Sequence, residues 1–183
     1  MLAVTYSAWF SLTWFWRDIP GWLLWLFGGY TVALHSSLQH EALHGHPTSS
    51  TRINISLVWP PLTLWLPVEL YVENHLRHHR SELTNPELDP ESFFVPREKW
   101  HQLTRWQQQL LIFNNTFLGR MLIGPWITVA QQYRDELRKL RAGDFSHAGI
   151  MLRHLISVAV VLYWILAICQ MPLWIYLLAF AWP

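Results

Sequence analysis

The sequence predicts an all-α integral membrane protein with four spans, the fourth incomplete, and a cytoplasmic helical cap. Of its 183 residues, 52% are hydrophobic and only 14% are charged, whereas a soluble domain carries roughly 25% charged residues. Ten histidines are present, and six of them fall within two short windows. The net charge of +1 gives no reason to expect a nucleic acid partner.

Four apolar stretches are predicted to enter the membrane as helices. The first is shorter than the roughly 20 residues that cross a bilayer, and a turn with Pro20 and Gly21 separates it from the second. The third carries Arg153 near its entry, where a long cationic side chain can reach the headgroups. The predicted spans cover residues 2–16, 22–44 and 150–171, and the fourth starts at residue 173.

The fourth apolar stretch breaks off at Pro183. Because a natural protein rarely ends within a span, we expect residues 1–183 to be one domain fragment, cut at the C-terminus. The single cysteine, Cys169, lies inside an apolar run and is expected to serve packing alone.

The basic residues predict the orientation of the chain in the membrane. Of the 13 Lys and Arg, all but Arg17 lie at Arg52 or later, and most lie between the second and third spans. Since cytoplasmic loops are rich in Lys and Arg, residues 45–149 are expected to face the cytoplasm.

This long connection is predicted to be ordered. Its first part is apolar but contains three prolines, which favours a broken or re-entrant segment over a straight span. The expected elements are a broken segment at 53–68, a helix at 69–80, an acidic, Pro-rich loop at 81–96, and a helical stretch at 98–141 with breaks near Gly119 and Gly124-Pro125.

The first histidine cluster ends the second span. His40 and His44 are four residues apart, which on a helix separates their side chains by about 40° and one turn. Both imidazoles can therefore bind one metal ion, and neutral imidazole suits iron, copper, zinc and nickel.

The second cluster is His75, His78 and His79. Positions i, i+3 and i+4 share one face of a helix. Three protonated imidazoles on such a patch would repel one another, so the arrangement favours neutral ligands around a cation. The alternative is a solvated basic helix, which Arg77 and Arg80 would support.

These two clusters carry a family resemblance. His40-Glu41-Ala42-Leu43-His44-Gly45 and His75-Leu76-Arg77-His78-His79 resemble the first two histidine boxes of the membrane fatty acid desaturase and hydroxylase superfamily. The tract from Arg77 to Arg80, followed by Leu83-Thr84, Pro86 and Asp89-Pro90-Glu91, is similar to its bacterial members. A third box beyond the fourth span is not in this sequence, and truncation would explain this. Without it the metal site would be incomplete and the fragment inactive.

The resemblance implies a di-iron oxidoreductase. Two iron ions would be held by His40, His44, His75, His78 and His79. Dioxygen would be the co-substrate, and a fatty acyl or related lipid chain entering from the bilayer would receive a double bond. Electrons would come from an external donor of ferredoxin, rubredoxin or cytochrome b5 type. The resemblance also implies a bacterial inner membrane, with the histidine boxes facing the cytoplasm.

Other functions remain open from the sequence. A lipid, alkane or carotenoid hydroxylase or ketolase of the same superfamily would carry the same boxes. His40-Glu41-x-x-His44 also satisfies the zinc metalloprotease pattern, in which Glu41 would be the general base, although the second cluster would then have no role. A metal transport protein would need polar residues buried in the spans, where His35 is the one candidate.

Several neighbouring residues are candidates for supporting the metal ligands. His46, Glu41, Glu73 and Asn74 could be additional ligands or hydrogen-bond partners of the imidazoles, which metal-bound histidines usually require. Three further histidines have no histidine at ligand spacing and are expected at the interface. They are His101, His147 and His154.

Overall fold

A computed structural model describes residues 1–83, 85–86, 88–92 and 94–182. Throughout these residues the chain forms helices and turns, with no strand, as predicted for an all-α protein. Thr84 of the family-like tract, Glu87 and Phe93 of the predicted loop, and Pro183 lie outside the described residues. The helices are α1 (Leu2–Trp14), α2 (Gly21–Leu43), α3 (Thr51–Leu57), α4 (Val68–His78), α5 (Arg97–Gln102), α6 (Arg105–Asn114), α7 (Phe117–Leu122), α8 (Gly124–Arg141), α9 (Ala148–Leu162) and α10 (Leu173–Tyr176).

The chain divides into two compact units. Unit one comprises Met1–Val72 and Ala148–Pro183, and unit two comprises Glu73–His147. In unit one, π-helical turns extend α9 over Tyr163–Ile168 and α10 over Leu177–Ala181.

The core of unit one is built mainly from aromatic and aliphatic side chains of α1, α2, α9 and α10. Ile165, Tyr176 and Phe180 have no exposed surface. The polar atoms of the aromatic residues are bonded inside this core: the Tyr176 hydroxyl donates to the Leu62 carbonyl at 2.6 Å and accepts from Trp9 Nε1 at 3.0 Å. Such partners are needed because an unpaired donor in an apolar interior costs free energy.

A glycine allows the C-terminal segment to pack closely on α2. A Cβ atom at Gly28 would lie 2.5 Å from the backbone oxygen of Ala179 and 3.2 Å from the Phe180 ring. Any larger residue would separate the two segments, so Gly28 sets the depth at which the segment after α10 packs.

One helix in the described part of the chain is long and apolar enough to cross a membrane. It is Ala148–Ile168, with 21 residues and a mean hydropathy of 2.0. Only 22% of its apolar window is buried inside the protein, and Leu152, Val160 and Tyr163 are at least 60% exposed. The four-span topology remains a prediction, since α1 is short and the Trp, Gly and His residues of α2 lower its hydropathy.

Unit two is a set of short helices joined by capped turns. Thr104 begins α6 in a reciprocal capping box with Gln107, and the Thr116 hydroxyl accepts from the N–H of Gly119 at the start of α7. A Cβ atom at Gly119 would overlap the carbonyl group of Phe113. The tight turn from α6 to α7 therefore requires glycine at this position.

Candidate metal centre

Helix α4 ends in a cluster of three imidazoles. Glu69 occupies its first turn and Arg77 its last turn, opposite charges that suit the two ends of the helix dipole. His75 and His78 also lie in the last turn. The ring centroids of His75 and His79 are 4.7 Å apart, and His78 is 5.7 Å from each of them. The sequence-predicted triad thus forms one compact patch, in which His75 is buried and His79 exposed.

Two of these imidazoles each contact a carboxylate through the Nδ1 atom of the ring. His75 Nδ1 lies 3.0 Å from Glu91 Oε1, and His78 Nδ1 lies 2.8 Å from Asp89 Oδ1. A carboxylate can only accept, so each Nδ1 carries the proton and donates it. This is the arrangement by which metal-binding histidines are fixed in one tautomer and orientation.

The loop after α4 positions these carboxylates by folding back on the helix. Arg77 Nε donates to the carbonyl of Leu88 at 3.2 Å, and the Ser81 hydroxyl approaches the same carbonyl at 3.0 Å. The N–H of Asp89 bonds to the carbonyl of Asn85 at 2.9 Å. These bonds hold the loop against the end of α4. Asp89 is consequently buried, with 2% of its surface exposed.

The Asp89–His78 contact shifts both pKa values. Its hydrogen bond to Asp89 raises the pKa of His78 above 6.5, with further help from the charge of Glu91. Burial alone would raise the pKa of Asp89, but the hydrogen bonds from His78 and from the N–H of Glu91 outweigh it and lower that pKa. Asp89 is therefore a stable anion beside the histidine patch.

Two nitrogens of the triad are close enough to bind one transition-metal ion. His75 Nε2 and His79 Nε2 are hydrogen-bonded to each other at 3.0 Å. Two imidazole nitrogens at about 2.1 Å from one ion, at a near-right angle, are separated by about this distance, so a bound ion would replace this hydrogen bond. Imidazole nitrogen is a suitable ligand for iron, and the carboxylates on Nδ1 supply the support that such ligands need.

The first histidine cluster lies at the C-terminal end of α2 in unit one. The ring centroids of His40 and His44 are 4.6 Å apart, at an interplanar angle of 60°. Glu41, the predicted general base of the protease alternative, is exposed, and its Oε1 lies 3.7 Å from His40 Nδ1. His46 follows the helix and is also exposed.

Glu73 and Asn74 contact other parts of unit two. Asn74 Nδ2 donates to Gln132 Oε1 at 2.9 Å, and Glu73 Oε2 lies 3.3 Å from His147 Nε2. Both partners lie outside the histidine triad. The prediction that Glu73 and Asn74 directly support the imidazoles stays a prediction.

Sequence reasoning did not identify Asp89 and Glu91 as partners of the imidazoles. Both lie in the stretch predicted as an acidic loop, and nothing in its composition indicates where the loop folds. The available signal was their place in the family-like tract Asp89-Pro90-Glu91, shortly after the second histidine cluster.

Two other histidines are buried in unit one. His35 is 1% exposed, and its Nε2 lies 3.3 Å from the Tyr6 hydroxyl. His154, expected at the interface, is instead 3% exposed. Arg153 beside it, expected to reach the headgroups, pairs through Nε with Glu69 Oε1 at 3.2 Å.

Residues 18–183 match the protein family described as fatty acid desaturase. The match covers both histidine clusters. Neither the curated proteins nor the solved structures include a significant match to this chain.

Proposed function

Because this chain belongs to the fatty acid desaturase family, we propose that it is an oxygen-dependent di-iron oxidoreductase that introduces a double bond into a fatty acyl or related lipid chain. Family membership alone supports a desaturase- or hydroxylase-type enzyme of lipid metabolism.

The observation that carries the proposal is the carboxylate-backed histidine triad. His75 and His78 each donate from Nδ1 to a carboxylate, and the Nε2 atoms of His75 and His79 meet in a 3.0 Å hydrogen bond that one metal ion would replace. A solvated basic helix would not require a buried Asp89 behind its imidazoles, since burying a carboxylate is costly unless it is paired.

The proposed iron ligands are His40, His44, His75, His78 and His79. Bound iron would supply the redox chemistry with dioxygen that removes hydrogen from an unactivated C–H bond, which acid–base chemistry cannot attack. Zinc has no redox chemistry and would not serve.

The chain's own residues prepare the ligands for this task. Asp89 and Glu91 keep the proton on Nδ1 of His78 and His75, so the Nε2 lone pairs are the ones directed to metal. The negative charge of these carboxylates also makes the imidazoles stronger donors to a cation.

The substrate and the electrons come from outside the chain in this proposal. A lipid chain enters from the bilayer, where the apolar helix Ala148–Ile168 would lie. The electron donor is a separate carrier of ferredoxin, rubredoxin or cytochrome b5 type, because the sequence has one cysteine and so cannot hold an iron–sulfur cluster by itself.

The alternative functions differ in whether they give a role to both histidine clusters. Hydroxylation or ketolation would use the same histidines and is separated from desaturation only by its product. The zinc protease interpretation uses His40, Glu41 and His44, and gives no role to the triad or to its carboxylates.

Lipid analysis of cells that express the intact protein tests the proposal. Mass spectrometry should show acyl chains that have lost two hydrogens, and the product should disappear with His78→Ala. The exposed Asp135→Asn variant is the control and should retain the product. A gain of one oxygen would identify a hydroxylase, and unchanged lipids beside a cleaved membrane protein would contradict the proposal.

A further inference from the structure

A second polar network of unit two lies behind the histidine triad. Among the described residues, Asp89 and Glu136 are the carboxylates classed as buried, at 2% and 5% exposure. Asp89 supports His78, whereas Glu136 lies in the second half of α8 and bonds to residues outside the triad. A buried carboxylate is costly unless well paired, so its partners indicate what it holds in place.

Glu136 is bonded on several sides. Its Oε2 lies 2.9 Å from His147 Nδ1, and its Oε1 accepts from Gln132 Nε2 at 3.1 Å and from Lys139 Nζ at 3.3 Å. Two of these partners extend the network to α4. His147 Nε2 lies 3.3 Å from Glu73 Oε2, and Gln132 Oε1 accepts from Asn74 Nδ2 at 2.9 Å.

The two contacts on α4 immediately precede the first imidazole of the triad. At about 100° per residue, His75, His78 and His79 occupy one arc of about 100° on the helix. Glu73 lies nearly opposite the middle of this arc, and Asn74 lies about 90° from it. The network therefore holds α4 from behind and from one side, while Asp89 and Glu91 hold the histidine face itself.

We propose that Glu136, with Gln132 and His147, is a positioning residue that fixes the rotation of α4 and thereby the placement of the triad for metal binding. The inference rests on the proposed function and deepens it. An imidazole nitrogen lies about 6 Å from the helix axis, so a rotation of about 10° moves it by about 1 Å. Metal ligands must be held within about 0.5 Å, so a small loss of restraint matters.

The test compares Glu136→Gln with Asp135→Asn in the intact protein. Glu136→Gln keeps the shape of the side chain and removes its charge. Asp135 is the adjacent residue on the same helix, and its ion pair with Arg138 at 3.2 Å is exposed and therefore contributes little. We expect a chelator to remove iron from Glu136→Gln about tenfold faster or more, as for other changes behind metal ligands, and at the unchanged rate from Asp135→Asn.

A spectroscopic measurement separates positioning from general instability. The visible bands of the cobalt-substituted protein report the geometry of the ligands. Rotated ligands would shift these bands, whereas partial unfolding would only reduce their intensity. Since the residues act as one unit, adding His147→Gln to Glu136→Gln should cost little more than either change alone.

If Glu136→Gln does not fold, a milder variant tests the inference. Gln132→Ala removes the contact to Asn74 at a half-buried position and should shift the bands in the same direction. Unchanged bands and an unchanged chelation rate in a folded variant would overturn the inference while the proposed function stands. A wild-type protein that binds neither iron nor cobalt would overturn the proposed function, and this inference with it.

Discussion

Asp89 shows how a single residue can define the chemistry of its neighbour. It is 2% exposed and remains an anion because His78 and the N–H of Glu91 donate to it. In return it keeps the proton of His78 on Nδ1. An imidazole in solvent has no fixed tautomer or orientation. Asp89 in the loop gives both to His78, which the histidine motif alone does not.

Replacing Asp89 should lower the pKa of His78 in the metal-free protein. That pKa is raised above 6.5 chiefly by the hydrogen bond to Asp89. The pair therefore stabilises the fold fully between pH 3.8 and pH 6.5. Its contribution is lost as the pH rises through the raised pKa of His78 or falls through the lowered pKa of Asp89. Histidine-selective NMR titration of Asp89→Asn should give a value nearer 6.5, and an unchanged pKa would contradict the assigned cause.

The same substitution should weaken metal binding. Removal of a carboxylate behind a histidine ligand typically costs 10–100-fold in metal affinity. Competition with a chelator should show a loss of this size for Asp89→Asn and Glu91→Gln. The exposed Glu98, on α5, provides a control, because Glu98→Gln should bind metal as the wild type does.

At the scale of elements, sequence periodicity and breakers indicated most helix positions. The predicted stretches at 22–44 and 69–80 lie close to α2 (Gly21–Leu43) and α4 (Val68–His78). The predicted break near Gly124 coincides with the boundary between α7 and α8, whereas Gly119 lies inside α7 and the break after α6 is at Asn115 and Thr116. The length of an apolar run, the position of a proline and the helical spacing of the histidines are local properties of the sequence. They can therefore be read without knowing which segments contact one another.

The contacts between distant segments could not be predicted in this way. Asp89 lies 11 residues from His78, and Glu136 lies 11 residues from His147. Both pairs depend on how a loop folds back, which helical spacing does not encode. His147 was expected to be interfacial, but its side chain is only 14% exposed and lies between two carboxylates.

The turn between α6 and α7 gives a prediction at the scale of elements. Gly119→Ala should destabilise the protein by about 1–3 kcal/mol, the usual cost of forcing an extra methyl group into a packed site, because its Cβ would overlap the Phe113 carbonyl group. Thermal unfolding in detergent would measure the loss. Gly21→Ala, where nothing lies within 4 Å of the added atom, should have little effect.

At the scale of the whole molecule, the account predicts a topology. The turn at residues 17–21 should lie outside the cytoplasm and residues 45–149 inside it, because Lys and Arg collect on the cytoplasmic side. The exposed apolar side chains of Ala148–Ile168 need lipid around them. This predicted orientation would place both histidine clusters on the side of the proposed cytoplasmic electron donor.

Cysteine labelling in bacterial cells checks this orientation. In a Cys169→Ala background, Asp18→Cys should react with a membrane-impermeant maleimide when the outer side of the inner membrane is accessible. Asp135→Cys should react only after the inner membrane is opened. The reverse pattern would contradict the predicted topology.

The metal content of the intact protein, purified anaerobically from iron-supplied cells, distinguishes the di-iron enzyme from a zinc protease. We expect about two iron ions per chain, lost when His40, His44, His75, His78 or His79 is replaced. A single zinc ion, retained when His78 and His79 are replaced, would contradict the di-iron enzyme and favour the protease pattern of His40, Glu41 and His44.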